Sequence, residues 1–274
     1  MCDSQKKKPK GDKAMKGRKF GIEMELVSKE PVQNLLSALE GILPGRVNPR
    51  VYCGPEPVDF THKWAVKTDG SLCGSHEYPY TAEVCSPPLG IHELRELRKV
   101  LEGLKGILSA NTSCGLHIHV SVADFKHVVN TRIIWKKFER TIVQVFSMSR
   151  RDNNNYCRLL RNEEISHTRL SAHRYFIVND HAYWKFGTVE FRGHQGTANY
   201  HKIKHWVLFC NAMVEKATSY ETPRICQSCI DAYVGTNVFE FIGFNGKGRN
   251  YMIGRARHFA RGRDTRLDHI YQAA

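Results

Sequence analysis

The stretch FGIEMELV, residues 20–27, constrains this chain more than any other. Read as a β-strand, it points Phe20, Ile22, Met24 and Leu26 one way and Gly21, Glu23, Glu25 and Val27 the other. One face is wholly apolar, while the other carries adjacent carboxylates. The pattern recurs. In GLHIHVSV, Leu116, Ile118, Val120 and Val122 oppose Gly115, His117, His119 and Ser121. In GTVEFRG, Val189 and Phe191 oppose Thr188, Glu190 and Arg192, and in TAEVCS, Ala82 and Val84 oppose Glu83 and Cys85. A sheet with one wet side explains the alternation, but wet sides are ordinarily rich in Thr, Ser and Lys. Carboxylates gathered on one face repel one another unless cations neutralise them. Arg192 supplies one cation, and bound metal is the natural remainder.

The ligand types indicate which metal. Several carboxylates with one or two imidazoles are mostly hard donors, which favours Mg²⁺ or Mn²⁺ over zinc. Mg²⁺ commonly bridges protein carboxylates and nucleotide phosphates, and an arginine on the same face suits a phosphoryl group in transfer. The residues alone therefore point to a metal-dependent, nucleotide-using enzyme with its site cupped by an antiparallel sheet. Two other readings stand beside it. Cys114, His117 and His119 in SCGLHIHV are soft ligands that suit a zinc hydrolase with Glu190 or Glu83 as base. A net charge of +14, concentrated in the lysine run of residues 6–19 and in Arg249, Arg255, Arg257, Arg261, Arg263 and Arg266, suits a nucleic-acid or polyanion binder. That third reading leaves the carboxylates unexplained.

The fold expected is α+β: a mainly antiparallel sheet with helices on one side. Strands are expected near residues 19–27, in HKWAVKTDGSL, YTAEVCSPPL, GLHIHVSV, RYFIVND and FGTVEFRG. Helices are expected over residues 31–42, 91–110, 124–148 and 199–218. Residues 1–17 read as a disordered basic segment, residues 18–218 as the catalytic domain, and residues 219–274 as a basic extension packed on it. Nine cysteines without a disulfide-like rhythm fit a reduced, cytoplasmic setting, and Cys226 with Cys229 in CQSC lacks the second pair that a zinc site needs. No apolar run approaches the length of a membrane span.

FGIEMEL, TDGSL, AEVCSPPL, CGLHIHVSV, RYFIVN and TVEFRGHQGTANYHKIKHWV, in that order, resemble the amidoligase family, a branch of the carboxylate–amine ligases that include glutamine synthetase and glutamate–cysteine ligase. The resemblance spans about residues 18–218 and implies a glutamine synthetase-like half-barrel with helices outside. It also implies ATP-dependent amide bond formation through an acyl phosphate. By that resemblance, Glu23, His117 and Glu190 hold an Mg²⁺ at the ATP phosphates, and Glu25 and Glu83 hold a second near the carboxylate substrate. Arg192 neutralises the transferred phosphoryl group, Arg174 contacts phosphate and Asn179 faces substrate. His119 is substrate-side or supports the ligands. Asp69, in the Asp-Gly-Ser turn, is a metal ligand or an amine-orienting base. Of further acidic residues near Glu83, only Asp69 and Glu77 are present, and His194 and Gln195 stand where the family carries apolar residues, as candidates for tuning substrate choice. The partners implied are small-molecule, peptide or protein carboxylates and amines, with the basic termini as docking sites for an acidic partner.

Overall fold

The computed structural model describes residues 17–53, 58, 60–151, 154–220 and 237–260. Residues 6–16 of the lysine run, the CQSC pair and the arginines beyond residue 260 lie outside them, and with them the expectation of a disordered N-terminus and much of that of docking through the termini.

Eight strands form one sheet in the order β2–β3–β4–β1–β6–β8–β7, with β5 pairing β1 off this path. They are β1 (Phe20–Ser28), β2 (Tyr52–Cys53), β3 (Ala65–Thr68), β4 (Tyr80–Cys85), β5 (Leu108–Ser109), β6 (Gly115–Ser121), β7 (Val178–Asn179) and β8 (Thr188–Gln195). Among the described strands only the β2–β3 pair is parallel. The sheet is thus mostly antiparallel and its order is built around β1, the strand with the strongest alternation.

The apolar face is covered by four helices: α1 (Val32–Ile42), α2 (Leu94–Gly103), α3 (Phe125–Ile142) and, after the short α4 (Ala182–Phe186), α5 (Tyr200–Thr218). Ile22, Met24, Ile118, Val120, Val189 and Phe191 pack from the sheet into one core with Leu97, Trp135 and Trp206 from the helices. Full burial of each large side chain stabilises by roughly 1.5–3 kcal/mol, so this face sets the register: a slip by one residue would turn every carboxylate inward. Helix α3 starts where Asp124 accepts the Lys126 backbone N–H at 2.9 Å, and α5 where Asn199 accepts that of Lys202 at 3.1 Å.

Two helices fall short of their expected ends. The apolar spacing from Ile91 continues to Leu108, yet α2 stops at Gly103, Gly106 takes a φ of 83°, and Leu108 pairs with Ser28 as β5. After Ile142, the segment expected to continue α3 tightens into short 3₁₀ turns at Val143–Val145 and Met148–Arg150. In the C-terminal extension, α6 (Val238–Phe241) and α7 (Gly246–Ala260) add Phe239, Phe241 and Met252 to the same core. Arg255, one of the expected tail cations, is buried there and donates from Nε to the Val145 carbonyl at 3.1 Å. Among the described residues no helix is long and apolar enough to cross a membrane.

Candidate active site

The strand registers bring the ionisable residues together row by row. Glu23 on β1 lies opposite His117 on β6, and Glu25 opposite Glu83 on β4. His119 on β6 lies opposite Glu190 on β8, which faces Asn179 on β7. Glu25, Glu83, His117, His119 and Glu190 are all buried, so their charges meet at reduced dielectric.

At the centre stand two imidazoles. His117 Nδ1 lies 3.4 Å from Glu23 Oε2 and 3.5 Å from Glu190 Oε1, and its Nε2 lies 3.4 Å from Glu25 Oε1. His119 pairs through Nδ1 with the Thr188 hydroxyl at 3.0 Å. Its Nε2 lies 3.2 Å from Glu23 Oε1 and 3.9 Å from Glu190 Oε1, buried and without a hydrogen-bond partner. One donor atom from each of Glu23, His119 and Glu190 falls within 4.8 Å of the others, a set able to hold a metal ion. The Phe186 ring packs edge-on against His119, with centroids 5.7 Å apart, and fixes the imidazole plane.

Charge polarises this cluster strongly. Burial opposes ionisation of Glu23, but His119 and His117 beside it win and hold its carboxyl well below the usual range. Glu190 is likewise lowered against burial, by Arg192 and then His119. His119 is raised against burial by Glu23 and Glu190. Negative charge on Glu23 and Glu190 is thus favoured beside positive charge at His119.

Arg192 donates from Nη1 to Glu190 Oε1 at 2.6 Å and from Nε to the Tyr156 carbonyl at 3.1 Å. Asn179 donates from Nδ2 to the other Glu190 oxygen at 2.5 Å and accepts the His181 backbone N–H at 2.9 Å. Its buried amide therefore orients Glu190, where the expectation had it facing substrate. The neighbouring Asp180 pairs with Arg132 of α3 and accepts from Ser171 Oγ at 2.5 Å, anchoring the loop that carries Arg174.

Cavities open on either side of the cluster. A mainly apolar one of ≈ 250 Å³ runs along Gly21, Glu23 and His119 and is walled by Phe60, Phe186 and Pro88. A polar one of ≈ 450 Å³ adjoins Glu25 and His117 and contains Arg150, Arg174 and Arg192, with Asp69 also in its lining. Asp69 Oδ1 accepts from Ser71 N at 2.8 Å and Ser71 Oγ at 2.7 Å, which holds the Asp-Gly-Ser turn against that cavity and away from the cluster.

Several expectations meet different surroundings. Both Glu83 oxygens are taken by Lys67 Nζ, at 3.0 and 2.9 Å. Burial and the Glu23 charge still raise Glu83, with Lys67 as the partial offset. Glu25 Oε2 accepts the Gly115 N–H at 2.5 Å and lies 4.0 Å from Arg150 Nη2. Lys67 and Arg150 are cations the sequence reading missed. Lys67 shares strand parity with Ala65 and was within reach of the same alternation argument, whereas no local pattern marks Arg150. A Cβ on Gly115 would lie 2.9 Å from Glu25 Oε2 and 3.0 Å from His117 Nε2, so only glycine leaves this cradle open. Glu77 is spent on an exposed ion pair with Lys29 at 3.3 Å.

The zinc reading fails on Cys114. Its side chain is buried in a small apolar cluster with Val27 and Leu72, and it belongs to neither metal-competent group among the described residues. His194 is also displaced from its expected role. A bulge in the β6–β8 register between Leu116 and Ile118 turns it to the helix side, where it packs against Trp206 and Phe146. Burial, then the charge of Arg255, pushes its pKa well below the ordinary histidine value.

The family described as "Putative amidoligase enzyme" matches residues 16–174 and 161–214. No curated protein matches the sequence. Among solved structures, the chain is similar to a bifunctional glutathione synthetase from Pasteurella multocida, at 12% identity and a TM-score of 0.37, over 90% of this chain and 47% of that one. The chain thus spans about half the length of that enzyme.

Proposed function

The chain belongs to the amidoligase family, and on that premise we propose that it is an ATP- and Mg²⁺-dependent ligase joining a carboxylate to an amine through an acyl phosphate. The observation that carries the reading is His119 Nε2: a buried imidazole nitrogen with no hydrogen-bond partner, aimed at Glu23 and Glu190. Thr188 on the far ring nitrogen and Asn179 on the far Glu190 oxygen are the outer contacts expected of residues that present ligands, and Arg192 shares the near oxygen, whose second lone pair an ion would take. The donor set of two carboxylates and one imidazole, with His117 adjacent, fits Mg²⁺ or Mn²⁺. When bound, such an ion would offset the phosphate charge of a nucleotide.

The cavities on either side suit the two halves of the reaction. The apolar one, between Phe60 and Phe186, takes a flat nucleobase. The polar one, with its arginines, takes the phosphoryl group and the carboxylate. A carboxylate oxygen attacks the γ-phosphorus, the bond to ADP breaks, and an acyl phosphate forms. The amine nitrogen then attacks the acyl carbon, loses a proton, and phosphate leaves. Arg192 and Arg174 neutralise the phosphoryl oxygens as charge develops. Asp69, at the polar cavity, receives the proton from the amine. The curvature of the sheet into a glutamine synthetase-like half-barrel is part of the same reading.

The test is ADP release on a panel of acid and amine pairs with Mg²⁺, beside Glu190→Gln. Release that needs both substrates and is lost in the variant supports the proposal. ATP turnover unchanged in Glu190→Gln overturns it.

A further inference from the structure

Resting on that ligase reading, a second question is how many ions the site takes. The cluster has two flanks. On one, Glu23, His119 and Glu190 converge on an unpartnered imidazole nitrogen. On the other, Glu25 and Glu83 stand directly opposite each other across β1 and β4, the arrangement that invites a second divalent ion. Three of their four oxygens already accept hydrogen bonds, two of them from one ammonium. Lys67, directly opposite Glu83 across β3 and β4, reaches both of its oxygens, and the Cys85 thiol donates to one of them at 3.1 Å. Glu25 gives Oε2 to the Gly115 N–H and has the buried Arg150 beside it. Glu25 belongs to neither metal-competent group among the described residues. The remaining combination on this flank, Glu23 with Glu83 and Cys85, includes a buried thiol, a soft ligand ill-suited to Mg²⁺.

We infer that Lys67 is the resident cation of this flank: its ammonium occupies the place of a second divalent ion, and the nucleotide-free chain holds a single one, at Glu23, His119 and Glu190. A strand-borne ammonium is a point charge that needs no loading and does not exchange with solvent ions. It neutralises Glu83 in the place that a second ion would take. Lys67 is a positioning residue in this sense: it sets the charge and the orientation of Glu83.

The experiment counts Mn²⁺ bound to the full chain without nucleotide, by equilibrium dialysis with electron paramagnetic resonance of the free ion. The wild type is expected to bind one ion, Glu83→Gln still one, and Lys67→Met two, because the methionine keeps the stem and takes the ammonium away from both Glu83 oxygens. Two ions in the wild type with one lost in Glu83→Gln would overturn the inference and leave the ligase reading standing. So would a count of one in a folded Lys67→Met. Glu83→Gln retains the discrimination if Lys67→Met does not fold. No bound ion in the wild type would remove the ligase reading's metal site, and this inference with it.

Discussion

Toward the helices, the sheet carries Phe20, Ile22, Met24, Ile118 and Phe191; away from them, the same strands carry Glu23, Glu25, His117, His119 and Glu190. Two histidines from neighbouring strands show what that division does. His194, against Trp206 and Phe146, is driven toward its neutral form by burial and by Arg255. His119, buried to a similar degree, is driven toward its charged form by Glu23 and Glu190. Burial opposes charge on both faces, and neighbouring carboxylates decide which histidine keeps its proton. The apolar face holds the molecule together; the ionisable face is tolerated because each charge has a nearby opposite.

The comparison breaks most sharply at Glu190, which Arg192 and Asn179 orient. Glu190→Gln is expected to lower ADP formation by about 10³-fold while leaving the thermal unfolding midpoint near that of the wild type; activity within tenfold would sever the ionisable face from function. The opposite face should behave in reverse. Trp206 is fully buried among Trp135, Phe146 and Phe209, so Trp206→Ala should cost about 3–5 kcal/mol in urea unfolding, a loss of stability before any loss of chemistry.

Supporting contacts come next. Asn179→Ala and Thr188→Val each remove an outer partner of a proposed ligand, and each is expected to weaken Mn²⁺ binding by about 10–100-fold with unchanged secondary structure by circular dichroism. The smallest effect concerns His194. Its folded pKa lies below the ordinary value of 6.5, so the unfolded chain binds the extra proton first as pH falls. Stability should be full above that value and decline below it, by up to about 1.4 kcal/mol per pH unit, until the folded pKa is passed. Unfolding midpoints measured between neutral and mildly acidic pH should show that slope, and His194→Gln should remove this histidine's share.

Strand parity made the site legible where the ladders are regular. Glu23 with Glu25 and His117 with His119 could be placed on one face because β1 and β6 alternate without interruption. It does not extend past the β8 bulge, where an extra residue reverses parity with no sequence mark and His194 lies in the core. Apolar spacing overextended α2, because Leu108 keeps helical phase with Leu104 yet pairs in the sheet after Gly106 reverses the chain. Arg150 reaches Glu25 from far along the chain, by a turn after α3 that only the packed core positions. Lys67 was open to the same parity argument as Glu83, but a single lysine on a short strand reads as solvent-facing until its partner across the ladder is known.

The most direct measurement is calorimetric titration of ADP and of a non-hydrolysable ATP analogue, with and without Mg²⁺, into the wild type and Glu23→Gln. The account predicts nucleotide binding that requires Mg²⁺ in the wild type and is lost in the variant. Binding of equal strength without Mg²⁺, or unchanged by Glu23→Gln, would contradict the claim that these carboxylates hold the ion that holds the nucleotide.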